Sequence, residues 1–211
     1  MALASQILYS DSMSVRKHEQ LRARIAIEAA RLMTEQAIRD YHLAKKKAAQ
    51  TLGVSDKQDL PANHEIEQAI RDYQSIFQAS TQPRTLSKLR QVAVDAMKFF
   101  IDFQPRLVGD VLSGVAGQYA AVTVHLFADY PEQVSIFLME HDIPFQEKNK
   151  RLQVKAGQYQ IYPQFCFMAD EIEIELTVFS QKEIRLAPVS TVDGKPMQRA
   201  NIKTVESLLQ D

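Results

Sequence analysis

Residues 111–129 read VLSGVAGQYAAVTVHLFAD, and this stretch decides the fold class. A short apolar run, LVGDVL at 107–112, leads into it and predicts a buried strand. A loop of small residues follows, with Ser113, Gly114 and Gly117. Glycine has no Cβ, so backbone amides at such a turn can approach a phosphate closely. The next segment, AVTVHLFAD at 121–129, is β-branched and alternating, which predicts a second strand. Successive strand residues point to opposite faces, so Thr123 and His125 share one.

Downstream, Pro131 opens a helix, PEQVSIFLMEHD, with Val134, Phe137 and Leu138 as its apolar stripe. Three extended segments follow, at 151–156, 158–169 and 171–179, with Asp170-Glu171 as the turn between the last two. Pro163 places its strand at an edge or a bulge, because proline has no N–H for a ladder. The last of the three, EIEIELTVF, puts Glu171, Glu173, Glu175 and Thr177 on one face and Ile172, Ile174, Leu176 and Val178 on the other. Such alternation normally marks the solvated side of an antiparallel strand. A turn at Asp193-Gly194 precedes a short helix capped by Asn201. Strand, loop, strand, helix, strands, helix makes an α/β sandwich with a mixed sheet over 105–211.

Upstream the spacing is helical. Apolar residues recur at helical intervals over 15–34, 35–52 and 64–77, and again from Leu86 to Phe103. Loops are expected at 54–63 and 80–84, and Pro105 ends the last helix. The expectation is α+β: a loose tail at 1–13, a four-helix domain at 14–104 with Ser14 as N-cap, then the α/β domain at 105–211. The heptapeptide EQAIRDY occurs at 35–41 and again at 67–73. The flanks do not match, so it reads as a recurrence of helix formers rather than a tandem repeat.

The 211 residues are 45% hydrophobic and 24% charged, with 25 basic and 26 acidic side chains. That balance excludes a strongly basic nucleic-acid binder and an acidic disordered tail. Residues 1–105 carry 15 basic and 12 acidic side chains, whereas 106–211 carry 10 and 14. Lys45-Lys46-Lys47 is the densest basic run; it reads as a solvated helix face or as a weak phosphate or RNA contact. One cysteine, Cys166, cannot make an intrachain disulfide, which favours a reducing cytoplasm. It lies between Phe165 and Phe167 without an evident base and reads as a packed thiol. No apolar run approaches ~20 residues, so no membrane partner is expected. The first residues lack a basic region, so no signal peptide is expected. No phosphate-binding Walker loop, dinucleotide fingerprint, zinc-protease motif or serine-hydrolase elbow is present.

The order of strand, glycine turn, alternating strand and later acidic strand resembles the nucleotidyltransferase fold of the polymerase-beta type, over roughly residues 105–180. The resemblance implies a phosphate-binding turn, here Ser113-Gly114 in reversed order. It implies paired aspartates on the next strand, where this chain has Thr123 and His125. It implies a third carboxylate, for which Glu173 or Glu175 stands. Carboxylates converge in that family because two Mg²⁺ ions need hard oxygen ligands. Threonine and histidine are not such ligands. The resemblance therefore implies a scaffold without its catalytic metals, and Mg²⁺ would matter only in an active enzyme. A helical region ahead of such a domain also resembles a group of proteobacterial proteins.

Three functions follow as expectations. The first is a nucleotidyltransferase-like protein without efficient transfer, with Ser113, Gly114, Gly117, Thr123 and His125 as nucleotide-binding residues. Its partners would be a nucleotide, an RNA, or a protein held by the helical domain. The second is an active transferase, with Asp110, Asp129, Glu173 and Glu175 as acidic candidates and Glu173 or Glu175 catalytic. The third is a non-enzymatic interaction module. No metal site is predicted, since His125 and Glu175 alone are too few ligands. An open pocket at 113–117 lined by His125 and Glu175 would mark the first two. A buried His125 would mark the third.

Overall fold

The computed structural model describes residues 2–54 and 60–210, with side chains from Arg16 onward. Half of the loop expected at 54–63, residues 55–59, and the side chains of Ile7, Leu8 and Tyr9 lie outside the described residues. The chain is α+β and divides into two units, Met1–Ala79 and Ser80–Asp211.

The first unit has three helices: α1 (Ala2–Glu35), α2 (Tyr41–Thr51) and α3 (Asn63–Phe77). Residues 2–13, expected as a tail, belong to α1, and Ser14 lies inside the helix rather than at its cap. The segment holds no glycine or proline, so nothing in it breaks a helix. Small side chains dominate the core: Ala26, Ala29 and Ala30 of α1, and Ala44, Ala48 and Ala49 of α2, with Ile25, Leu32, Ile66 and Ile70. Alanines let the helix backbones approach closely. Arg22 of α1 donates to both Glu65 oxygens at 2.6–3.0 Å, and Glu65 also accepts from its own cap, Ala62 N–H, at 2.6 Å. One carboxylate thus closes the first turn of α3 and ties it to α1.

The second unit begins with α4 (Gln82–Phe99), followed by a 3₁₀ turn (Ile101–Phe103). Pro83 fits the first turn of α4, where a missing N–H costs nothing. The boundary expected at Pro105 falls instead between Ala79 and Ser80. The reason is the apolar face of α4. Leu89, Ala93, Val94, Met97 and Phe100 are buried in the core of the sheet, not in a four-helix domain. The remaining elements are β1 (Arg106–Val108), α5 (Asp110–Ser113), β2 (Val122–Ala128), α6 (Glu132–Glu140), β3 (Gln146–Lys155), β4 (Gln158–Ala169), β5 (Ile172–Ser180), a 3₁₀ turn (Gln181–Glu183) and α7 (Ile202–Ser207). The run LVGDVL, expected as one strand, stops at Val108. Gly109 turns the chain at φ 73°, and Asp110 starts α5.

The strands order as β1-β2-β5-β4-β3. Only β2 and β5 are parallel; every other neighbouring pair is antiparallel. Leu107, Val122, Val124, Leu126, Phe165, Ile174, Leu176 and Val178 point to one face. Val111 of α5, Val134 and Leu138 of α6, and Val205 of α7 cover that face together with α4. Pro163 is accommodated because pairing of β4 with β5 begins one residue later, at Gln164. Asp170 and Glu171 turn the chain between β4 and β5 at φ 47° and 64°, and Asn201 Oδ1 accepts from Thr204 N–H at 3.0 Å to cap α7. Among the described residues no helix is long and apolar enough to cross a membrane.

Candidate functional site

The face of the sheet opposite the helices carries the polar residues. Strand register sets them side by side: Thr123 pairs with Glu175, His125 with Thr177, Cys166 with Glu175, and Met168 with Glu173. The sheet therefore brings Thr123, His125, Glu173 and Glu175 onto one surface. Glu175 accepts from Gln164 Nε2 at 3.2 Å, and Glu173 faces Lys148 at 3.8 Å. Among the described residues no three His, Cys, Asp or Glu side chains gather where one cation could touch them all. Asp110 and Asp129 flank β2 at opposite ends, a strand's length of roughly 20 Å apart.

His125 is 2% exposed, and its ring lies 4.5 Å from that of Phe179. Arg199 Nε donates to its Nδ1 at 3.0 Å. An accepting Nδ1 leaves the proton on Nε2, so the ring is neutral. Burial first, then the positive charges of Arg199 and Lys150, hold its pKa well below the ordinary histidine value. The ring cannot take up a proton without losing the Arg199 bond.

Arg199 itself is half-buried. Its guanidinium lies over the rings of Phe179 and Phe127, at 4.7 and 5.0 Å. Nη1 donates to the carbonyls of Glu183 and Leu186 at 3.0 and 3.2 Å. Burial lowers its pKa to about 10, which still leaves it charged. Tyr162 donates to Glu183 at 2.6 Å, and burial followed by that bond raises its pKa. Tyr162, Phe127 and Phe179 form a small second core with Leu152, Val154 and Ile184. Arg199 therefore fastens the segment after β5 onto the sheet, using His125 as its anchor. Sequence spacing gave no signal for this pairing, because 74 residues separate the two. Lys195, four residues before Arg199, is exposed in the Asp193-Gly194 turn.

The turn at 113–117 is arranged differently from a phosphate cradle. The N–H groups of Ser113, Gly114, Val115 and Ala116 all donate to the carbonyls of Gly109 or Asp110. Gly114 adopts φ 87°, and a Cβ there would meet Arg90 and Leu86 of α4 at 3.7 and 3.9 Å. Gly117 has nothing within 4 Å of the equivalent position. The glycine beside β2 is Gly109, where a Cβ would lie 4.0 Å from Thr123 Oγ1. It sits inside LVGDVL, whose apolar pattern predicts a continuous strand. The signal was a glycine directly after Leu107-Val108.

A groove of about 320 Å³ opens near the far end of the sheet, lined by Pro144, Phe145, Gln146, Cys166, Phe167, Met168 and Glu173. Burial pushes the Cys166 thiol up, away from its reactive thiolate form. The face can thus offer hydrogen bonds and a shallow apolar groove, while its histidine is already committed. No known protein-family model and no curated protein matches the chain.

Proposed function

We propose that the second unit is a nucleotidyltransferase-like domain that binds a partner without carrying out transfer. The observation that carries the loss of transfer is His125. Where the pattern calls for a metal-binding aspartate, this chain has a neutral, buried imidazole bonded to Arg199. The neighbouring position is Thr123, a neutral oxygen. In-line nucleotidyl transfer depends on several hard oxygens around two cations, and Glu173 and Glu175 alone do not supply them. The succession of β1, a glycine turn beside Thr123, β2 and the acidic β5 supports the scaffold half of the reading. A nucleotide, an RNA or a protein is the partner, with the first unit as a further protein-contacting surface.

A pure protein-interaction module is the second reading; the burial of His125, the mark expected of such a module, and the bonded turn amides at 113–116 favour it. Ile136 and Met139, three apart on α6, favour it, being 52% and 61% exposed.

The full chain incubated with each labelled ribonucleoside triphosphate, an RNA acceptor and Mg²⁺ or Mn²⁺ should transfer no label. Metal-dependent labelling that disappears in Glu175→Gln would overturn the proposal and restore the active-enzyme reading. A metal-independent thermal shift with a nucleotide would identify a small ligand. A ligand at a hundred times its Kd stabilises by ~2.7 kcal/mol, which is easily seen.

A further inference from the structure

The strongest concentration of positive charge in the second unit lies on the edge strand β3, beside the polar sheet face. Lys148, Lys150, Arg151 and Lys155 all lie on β3, with Glu147 as its one acidic residue. They stand in a half of the chain that carries 10 basic and 14 acidic side chains, so the positive charge is local. β3 is an edge strand, and its residues 146–151 are exposed. The first half of β4, Gln158 to Pro163, pairs with β3 only, because β5 joins at Gln164. The distal half of this hairpin is therefore a two-stranded arm, held on one side where Leu152, Val154 and Tyr162 pack on Phe127 and Phe179 and Gln153 C=O accepts from Val189 N–H at 2.7 Å.

The arm also presents an uncovered ring. Register puts Arg151 opposite Ile161 and Gln153 opposite Tyr159, so Arg151, Tyr159 and Ile161 share a face. Tyr159 and Ile161 are 53% and 63% exposed, and the Arg151 guanidinium stacks on the Tyr159 ring at 4.1 Å. Lysines on a sheet edge have an ordinary use, since they block edge-to-edge pairing. That use does not call for an exposed tyrosine stacked on arginine beside a bare isoleucine.

We infer that the β3–β4 arm is a binding surface for single-stranded nucleic acid. Phosphates would follow the basic edge, and an unpaired base would stack on the Arg151–Tyr159 pair. An unpaired base exposes its π-face, whereas in a duplex that face is hidden by stacking; this favours a single strand over a duplex. The inference stands apart from the non-catalytic reading in its stacking pair, because Arg151 and Tyr159 point to the other side of the hairpin from Lys148 and Lys150, which border Glu173 and His125.

Fluorescence anisotropy of the full chain with a labelled twelve-nucleotide RNA, and with the matching DNA, at low salt tests it. Binding should weaken as salt rises, since counterions are released from the strand. Tyr159→Ala should weaken binding about tenfold. Arg151→Glu should weaken it further and flatten the salt dependence. Both positions are exposed, so melting temperatures should stay at the parent value and separate lost binding from lost folding. Tyr159→Ala leaves the charged edge intact and isolates stacking from charge. No binding to either strand, or binding that both variants leave unchanged, would overturn the inference. Binding to anionic lipid vesicles but not to oligonucleotide would also overturn it, and would assign the charge to a membrane surface.

Discussion

The heptapeptide EQAIRDY occurs twice and folds in two ways. At 67–73 it lies wholly inside α3. At 35–41 it spans the break between α1 and α2: Glu35 ends one helix, Ala37 turns at φ 57°, and Asp40 caps the next. Asp40 Oδ1 accepts from Leu43 N–H at 2.6 Å, whereas Asp72 only accepts from exposed Gln68 at 2.9 Å. Both copies nonetheless bury their isoleucine, Ile38 at 8% and Ile70 at 4% exposed. The copies also touch, through a Tyr73 hydroxyl donating to the Glu35 carboxylate. Propensity is the same in both places, so packing decides. After the 34 residues of α1, only a reversal lets Ala44, Ala48 and Ala49 of α2 reach the core. A similar contrast occurs on β2, where Thr123 and His125 share a face but only His125 is sealed beneath Arg199.

The largest effect should come from what the two copies share. Ile70→Ala and Ile38→Ala should each cost about 2–4 kcal/mol in chemical denaturation. A small loss at Ile38 would show that the break, unlike the helix, is not held by packing.

Next is the contrast on β2. The depressed pKa of His125 means the unfolded chain takes up a proton that the folded chain refuses. Its contribution is therefore present above the unfolded value near 6.5 and lost as pH falls below it. The slope approaches about 1.4 kcal/mol per pH unit for one proton. His125→Gln keeps an acceptor for Arg199 and should flatten stability between about pH 6.5 and 5. Glu28, Glu35 and Glu65, whose pKa values are lowered chiefly by side-chain hydrogen bonds, lose their share at lower pH. An unchanged pH profile in His125→Gln would remove His125 from this account.

The alanines of the heptapeptide should answer glycine with opposite signs. Ala69→Gly, in mid-helix, should destabilise by about 1 kcal/mol. Ala37→Gly relieves a left-handed residue and should stabilise by roughly 0.5–1 kcal/mol. Equal signs would mean that the break is not where the structure places it. The smallest effect should come from the aspartates: Asp40→Ala about 1 kcal/mol for a lost cap, and Asp72→Ala a few tenths, about the value of an exposed helix pair.

Much of the second unit was legible because its signals are local. The alternation of EIEIELTVF, the Asp170-Glu171 turn and the Asn201 cap each act within a few residues. The site was legible only in part. Thr123, His125, Glu173 and Glu175 do share a face, as strand periodicity requires. That Arg199 would occupy His125 depends on a segment crossing back from β5, which no local pattern encodes.

By itself, then, the sequence determined the α+β class, most element types, the alternation of the strands, the Asp170-Glu171 turn and the Asn201 cap. These follow from backbone sterics and hydrophobic period over a few residues. Only the tertiary structure decided which EQAIRDY is helix, that α4 belongs to the sheet, and that the turn amides of 113–116 are already bonded. These choices rest on burial between distant segments. Such burial contributes kilocalories where local propensity contributes tenths.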